Sequence, residues 1–207
     1  MSGSNPPVAI TPEDVQGVYD RQAAAYDRAR GTALFEARWL ARFAACLWPG
    51  ARVLDVGCGT GAPIARWFTA EGFAVTGVDF SAPMLEIARR RAPGGDWRQA
   101  DMRALDLGET FDGVIGWNSF FHLTEAEQRA CIPRLAAHLV PGGALMLTVG
   151  HVAGQTTGTV GGEEVFHASL SPADYAVALE KAGLRMTGFL AQDAETQGHT
   201  VLMALKV

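Results

Sequence analysis

Apolar and polar positions along this 207-residue chain fall into two kinds of short stretch that alternate. The runs "ARVLDVG" (51–57), "FAVTGVD" (73–79), "FDGVIGWN" (111–118) and "GALMLTVG" (143–150) are apolar almost throughout, as strands buried on both faces are. Between them, "APIARWFTAEG" (62–72), "SAPMLEIARRRA" (81–92) and "TEAEQRACIPRLAAHL" (124–139) predict amphipathic helices, the last interrupted at Pro133. A shorter strand is predicted at "DWRQADM" (96–102). This alternation predicts βαβ units and a mostly parallel sheet with helices on both faces.

The two ends of the chain depart from the pattern. After a helix at "SPADYAVALEKAG" (171–183), the strands "LRMTGFLAQ" (184–192) and "HTVLMALKV" (199–207) are joined by only "DAETQG", so they must pair antiparallel. Before that helix, the Gly- and Thr-rich "HVAGQTTGTVGGEEVFHASL" (151–170) predicts a long loop, of the kind that carries function. At the other end, residues 1–10 are expected to form a disordered tail. "TPEDVQGVYDRQAAAYDRAR" (11–30) predicts a helix capped by Thr11 with Pro12 in its first turn. "ALFEARWLARFAACLW" (33–48) predicts a second, stopped by Pro49-Gly50. The chain thus reads as one domain, with a helical amino-terminal cover over 11–48 and an α/β core over 49–207.

Composition narrows the function classes. Formal net charge is −5 and the longest basic run is Arg89-Arg90-Arg91, at the end of a predicted helix where cations suit the dipole. Without a clustered basic surface, nucleic acid is not an expected partner. The three cysteines, Cys46, Cys58 and Cys131, are far apart and lack CxxC spacing, so reduced thiols are expected rather than disulfides or a metal site. With no signal peptide in "MSGSNPPV" and no apolar stretch of about 20 residues, a cytoplasmic protein without a membrane span is expected.

The candidate chemistry starts at "VLDVGCGTGAP" (53–63). Where a parallel sheet reverses strand order, ligands bind beyond the carboxyl ends of the strands. A turn with glycines at 57, 59 and 61 would let backbone N–H groups approach such a ligand. Asp79, at the end of the second strand, is placed to take two ribose hydroxyls. Gly57-x-Gly59-x-x-Ala62 also fits a relaxed dinucleotide fingerprint, so a nicotinamide-dependent oxidoreductase is an alternative. Asp55 argues against it, since a carboxylate beside the turn repels a pyrophosphate and attracts the sulfonium and ammonium of S-adenosylmethionine.

These residues resemble the class I S-adenosylmethionine-dependent methyltransferases over about Val53 to Gly150. "VLDVGCGTG" is similar to that family's first motif, with "VTGVDFS", "QADM", "FDGVIGWNSFFHL" and "LVPGGALML" following in order. The resemblance implies a Rossmann-like seven-stranded sheet with an antiparallel terminal strand, and a cofactor-binding core over 49–207. By position it implies that Asp55, Gly57, Cys58 and Gly59 face the methionine part. Asp79 would hold the ribose with Phe80 beside it against one face of adenine, Asp101 would accept from the adenine amino group, Met102 would line the pocket with its backbone amide nearby, and Asn118 would border the methionyl chain. Tyr19 and Tyr26, seven apart on one helix face, would close over the cofactor, with Arg38 as a charged partner.

Methyl transfer needs alignment and exclusion of water more than a base. His122, after the fourth strand, is the leading base candidate, followed by His167, with His151 weaker and Glu163-Glu164 expected to be solvated. The run Asn118-Ser119-Phe120-Phe121 departs from the Asn/Asp-Pro-Pro-aromatic run of enzymes that methylate base nitrogens. A small-molecule acceptor is therefore expected, apolar or aromatic if Trp117, Phe120, Phe121 and Phe166 wall its site. A non-catalytic cofactor-binding module of the same fold is the other alternative.

Overall fold

A computed structural model describes residues 10–207. All but the last residue of the expected 1–10 tail lies outside the described residues. Seven strands form one sheet: β1 (Arg52–Val56), β2 (Ala74–Asp79), β3 (Asp96–Gln99), β4 (Phe111–Gly116), β5 (Leu139–Val149), β8 (Leu184–Asp193) and β9 (His199–Lys206). Their spatial order is β3-β2-β1-β4-β5-β9-β8, and β9 runs antiparallel to both neighbours. The order reverses between β1 and β4, whose carboxyl ends open side by side.

Alternate residues of each strand feed two cores. On one face, Val53, Ile115, Met146 and Met203 pack with Trp39, Leu40 and Phe43 of α2 (Ala37–Ala44), Phe68 of α3 (Ile64–Ala70) and Leu85 of α4 (Ala82–Arg91). On the other, Leu54, Val114, Leu145 and Leu202 pack with Ile132 and Leu135 of α5 (Glu125–Ala137) and Tyr175 and Leu179 of α6 (Pro172–Lys181). Helix α2 is therefore a core helix, shorter than the 33–48 span its pattern predicted. Pro133 does not interrupt α5, which continues through it and starts in a full Thr124–Glu127 capping box.

The first helix, α1 (Asp14–Arg30), lies across the end of the sheet. Thr11 does not cap it: the Thr11 backbone N–H and hydroxyl instead donate to the Asp14 carboxylate, and α1 begins two residues later than expected. Segment 151–170 is not a loop. It folds into the hairpin β6 (Gly154–Val160) and β7 (Glu163–Ser169), turned by Gly161 and Gly162 at φ +59° and +87°. A Gly-Gly pair favours the tight turn that suits strand twist, so this signal was present in the sequence. It was masked because β6, "GQTTGTV", offers no apolar face, and its residues are largely exposed.

Buried polar contacts dock the hairpin. The Gln128 amide donates to the Leu123 and Ala168 carbonyls, and the Tyr175 hydroxyl donates to Gln128 Oε1 at 2.5 Å. Phe166 and Ala168, on one face of β7, are buried against Val15 of α1. Glu163 is not simply solvated, since it pairs with Arg21 and Gln22 of α1.

Candidate functional site

A cleft of about 670 Å³, counting its open mouth, lies at the carboxyl ends of β1, β2 and β4, roofed by α1. It continues into a smaller polar pocket of about 340 Å³, and Tyr26 and Gly57 line both. The β1–α3 turn forms the floor. At Gly57, φ is +72° and a Cβ would stand 2.3 Å from the Ser119 Cβ, so only glycine fits between β1 and the loop after β4. Gly59 also borders the cleft, while Gly61 serves the core, where a Cβ would press on Trp97 and Ala88 at 3.0 and 3.1 Å. Two of the three glycines open the cleft, and the third makes room for a tryptophan.

Asp79 is buried at the cleft, its carboxylate accepting the Gly59 N–H at 2.8 Å and the Ser81 N–H at 2.9 Å. Burial raises its pKa to about 6, offset in part by those N–H groups. Each oxygen keeps a lone pair for a further donor. Asp55 lines the small pocket and is 3% exposed. Burial first, and the Asp79 charge second, push its pKa up to about 7, with no hydrogen bond to offset them. Such a carboxylate is poised for a cation.

The small pocket is also lined by Arg30, from the last turn of α1, held by the buried Glu36 and lying over the Phe35 ring at 4.5 Å. Arg38, expected in this place, is elsewhere. It is exposed and paired with Asp193 and Glu195 near the β8–β9 turn. The misplacement follows from treating α1 and α2 as one continuous cover, when the chain turns between them and α2 joins the sheet core. Thr60 Oγ1, Trp117 Nε1 and Asn118 Oδ1 are buried around the cleft and small pocket without a protein partner among the described residues. Cys58 lines the small pocket as a thiol whose pKa burial raises, so it stays protonated.

In the larger cleft, Phe80 and Met102 are half-buried lining residues. Asp101 lines it too, but its oxygens already serve the Arg103 backbone N–H and guanidinium, and burial is outweighed so that its pKa falls. Asn118 adopts φ +54°, with its N–H held by Thr148 Oγ1 at 2.7 Å.

Tyr19 and Tyr26 share the cleft face of α1, ring centroids 5.9 Å apart, and burial raises both hydroxyl pKa values, that of Tyr26 to about 12. The Tyr19 hydroxyl donates to His122 Nε2 at 2.8 Å, because His122 Nδ1 is committed to donating to the Phe166 carbonyl at 2.9 Å. Both ring nitrogens of His122 are therefore in use, and burial pulls its pKa down to about 4. His167 lies outside the cleft on β7, its ring 4.9 Å from that of His122. Of the expected aromatic walls, Phe120 is core, Phe166 is buried under α1 and Trp117 lies beneath the small pocket. Only Phe121 lines an open groove.

The fold is similar to that of S-adenosylmethionine-dependent methyltransferases. Residues 53–143 match the family model described as a methyltransferase domain. Among curated relatives, the chain is 40% identical over 99 residues to a dTDP-3-amino-3,6-dideoxy-alpha-D-glucopyranose N,N-dimethyltransferase of Streptomyces fradiae, covering 47% of this chain and 38% of the relative. It is 34% identical over 143 residues to a demethylmenaquinone methyltransferase of Tropheryma whipplei, covering 65% of this chain and 58% of that one. The chain thus spans about two fifths of the length of the first curated relatives it matches. Among solved structures, an amino pentose methyltransferase of Micromonospora echinaspora with bound S-adenosylmethionine superposes with a TM-score of 0.70 at 27% identity, covering 89% of this chain and 95% of that one.

Several structural features fit that cofactor. The small pocket is lined by both a carboxylate and a guanidinium, the two partners an amino-acid zwitterion requires, and the glycine turn leaves space a Cβ would fill. Among the described residues no cluster of three His, Cys, Asp or Glu forms a metal site, and no helix is long and apolar enough to cross a membrane.

Proposed function

We propose that this chain transfers a methyl group from S-adenosylmethionine to a small-molecule acceptor. The observation that carries the reading is the small pocket, whose lining holds both the Asp55 carboxylate, without a hydrogen-bond partner among the described residues, and Arg30 beside the Gly57–Gly59 turn. When bound, the cofactor supplies a methyl group on a sulfonium, and attack by an acceptor lone pair leaves the carbon–sulfur electrons on sulfur.

The chain's own residues bind, orient and exclude water. Arg30 takes the methionine carboxylate, and Asp55 its ammonium. The free lone pairs of Asp79 take the ribose hydroxyls, while Phe80 and Met102 border the adenine. Asp101 can still accept from the adenine amino group, though it shares its charge with Arg103. Asn118 borders the methionyl chain. The tyrosines of α1, braced by the hairpin, keep water from the reacting centre, where alignment alone supplies several kcal/mol.

His122 positions Tyr19 rather than accepting a proton, because a base with pKa about 4 and an occupied Nε2 is mismatched to neutral pH. The small-molecule acceptor is supported by the relatives, among them sugar and quinone-precursor methyltransferases by name. Calorimetric titration with S-adenosylhomocysteine, with NADH in parallel, tests the reading. Micromolar binding of the former alone is expected, and preference for NADH would overturn it.

A further inference from the structure

We propose that Tyr26 reads the charge on the cofactor's sulfur, its aromatic ring making the site bind a sulfonium more tightly than the neutral thioether that methyl transfer leaves. This rests on the transferase reading above. The larger cleft and the small pocket meet at Tyr26 and Gly57, which line both. Gly57 has no side chain to offer, and a Cβ there would stand 2.3 Å from that of Ser119, so Tyr26 supplies the side chain at the junction.

The covalent order of S-adenosylmethionine puts its sulfur there. Sulfur joins the ribosyl carbon to the methionyl chain. A molecule with its nucleoside in the larger cleft at Asp79 and its amino-acid end in the small pocket at Asp55 and Arg30 must bridge the two through sulfur. The charges around Tyr26 agree. Burial raises its hydroxyl pKa to about 12, and Arg30, Asp79 and Asp55 are the next influences in order of size. The hydroxyl therefore sits among the groups that anchor the carboxylate, the ribose and the ammonium, and it stays neutral at pH 7. A Cβ on Gly59 would lie 3.7 Å from Tyr26 Cε1, so the ring also closes against the turn that carries the cofactor.

A neutral aromatic ring attracts a cation through its quadrupole, and the attraction grows where water is excluded. Tyr19 packs edge-on against Tyr26, but its own hydroxyl is spent on His122 and it lines the larger cleft rather than the junction. On transfer, the acceptor lone pair forms a bond to the methyl carbon, the carbon–sulfur pair returns to sulfur, and the positive charge passes to the acceptor with the methyl. The attraction to Tyr26 fades with it. Tyr26 therefore favours loading of substrate and release of product, and does not itself lower the barrier. Asp55 and Asp79 anchor an ammonium and a ribose that substrate and product share, so those hydrogen bonds cancel when the two ligands are compared.

The test is calorimetric titration of the full chain with S-adenosylmethionine and with S-adenosylhomocysteine at pH 7.5, without acceptor, in wild type, Tyr26→Phe and Tyr26→Leu. The readout is the ratio of the two dissociation constants. Tyr26→Leu should lower the preference for S-adenosylmethionine roughly 5- to 30-fold, the worth of a desolvated cation–ring contact, with S-adenosylhomocysteine affinity changed less than about threefold. Tyr26→Phe keeps the ring and should hold the ratio within about twofold. Phenylalanines bearing one, two and three ring fluorines at position 26 drain the quadrupole at nearly constant shape, which keeps the assignment testable if Tyr26→Leu does not fold. They should weaken S-adenosylmethionine stepwise and leave S-adenosylhomocysteine level. A ratio that Tyr26→Leu leaves unchanged, that is lost already in Tyr26→Phe, or that fluorination does not move would overturn the assignment. Failure of both ligands to bind wild type is a separate result that removes the transferase reading, and this inference with it.

Discussion

Asp55 gives the sharpest prediction, because its environment couples cofactor affinity to pH. Without a ligand, burial and the Asp79 charge raise its pKa from 3.8 to about 7. At 1.36 kcal/mol per pKa unit, ionising it costs about 4 kcal/mol more than in water. An ammonium about 4 Å away at an effective dielectric of about 20 returns roughly the same amount. Binding a zwitterion therefore releases a proton wherever the free protein holds one. The expected affinity for S-adenosylhomocysteine is nearly flat above pH 7.5 and falls about 25-fold by pH 5.5 from Asp55 alone, as one proton with a pKa near 7 requires. Asp55→Asn removes both the charge and the proton. At pH 7.5 it should weaken binding about 10- to 100-fold, the worth of a hydrogen bond to a charged group. Its affinity should then vary only about fourfold over that range, the smaller contribution of Asp79.

Stability should move the other way. The folded, ligand-free protein holds the Asp55 proton up to about pH 7, whereas the unfolded chain loses it near 3.8, so raising pH between those values destabilises the fold. The free Asp55→Asn variant should accordingly melt higher than wild type at pH 8. Calorimetric titration across pH 5.5–8.5 and thermal melts at pH 8 check both halves. A flat wild-type affinity profile, or a variant that keeps the steep one, would refute the assignment.

Asp79→Ala should weaken S-adenosylhomocysteine more than tenfold, since two ribose hydrogen bonds go; unchanged affinity would sink the ribose role. Arg30→Lys should weaken it about tenfold because the planar fork is lost, while Arg38→Gln leaves it within twofold; the reverse pattern would restore Arg38 to the site. Gly61→Ala forces a Cβ against Trp97 at φ +70° and should cost about 1–3 kcal/mol in urea unfolding, with native-state cofactor affinity little changed. His122 should make the fold acid-sensitive. Its folded pKa of about 4 lies below the unfolded 6.5, so its contribution is full above pH 6.5 and is lost as pH falls towards 4, up to about 3 kcal/mol; His122→Gln should remove that slope from urea midpoints measured across this range.

Local order decided most of what could be read before folding. The apolar runs of β1, β2, β4 and β5 are buried on both faces, so their hydrophobicity is continuous and a parallel sheet follows from the pattern alone. The short "DAETQG" link made the β8–β9 pairing antiparallel by chain length. Asp55, Gly57, Gly59 and Asp79 were legible because their spacing is bound to strand ends and one turn, within which near neighbours in sequence remain neighbours in space.

What tertiary structure alone decided lies in contacts between segments far apart in the chain. Arg30 rather than Arg38 lines the small pocket with Asp55 because a turn between α1 and α2 redirects the second helix into the sheet core, where Trp39, Leu40 and Phe43 are buried. His122 spends its nitrogens on Tyr19 and Phe166, 103 and 44 residues away in sequence. The β6–β7 hairpin is held by Gln128, Tyr175 and α1 rather than by any apolar pattern of β6. Residue types and spacings dictate which strands and turns form, since those depend on local sterics and on which faces must be hidden from water. Which charges and imidazoles end up spent, and which stay free for a ligand, depends on partners that only the closed fold brings within about 3 Å.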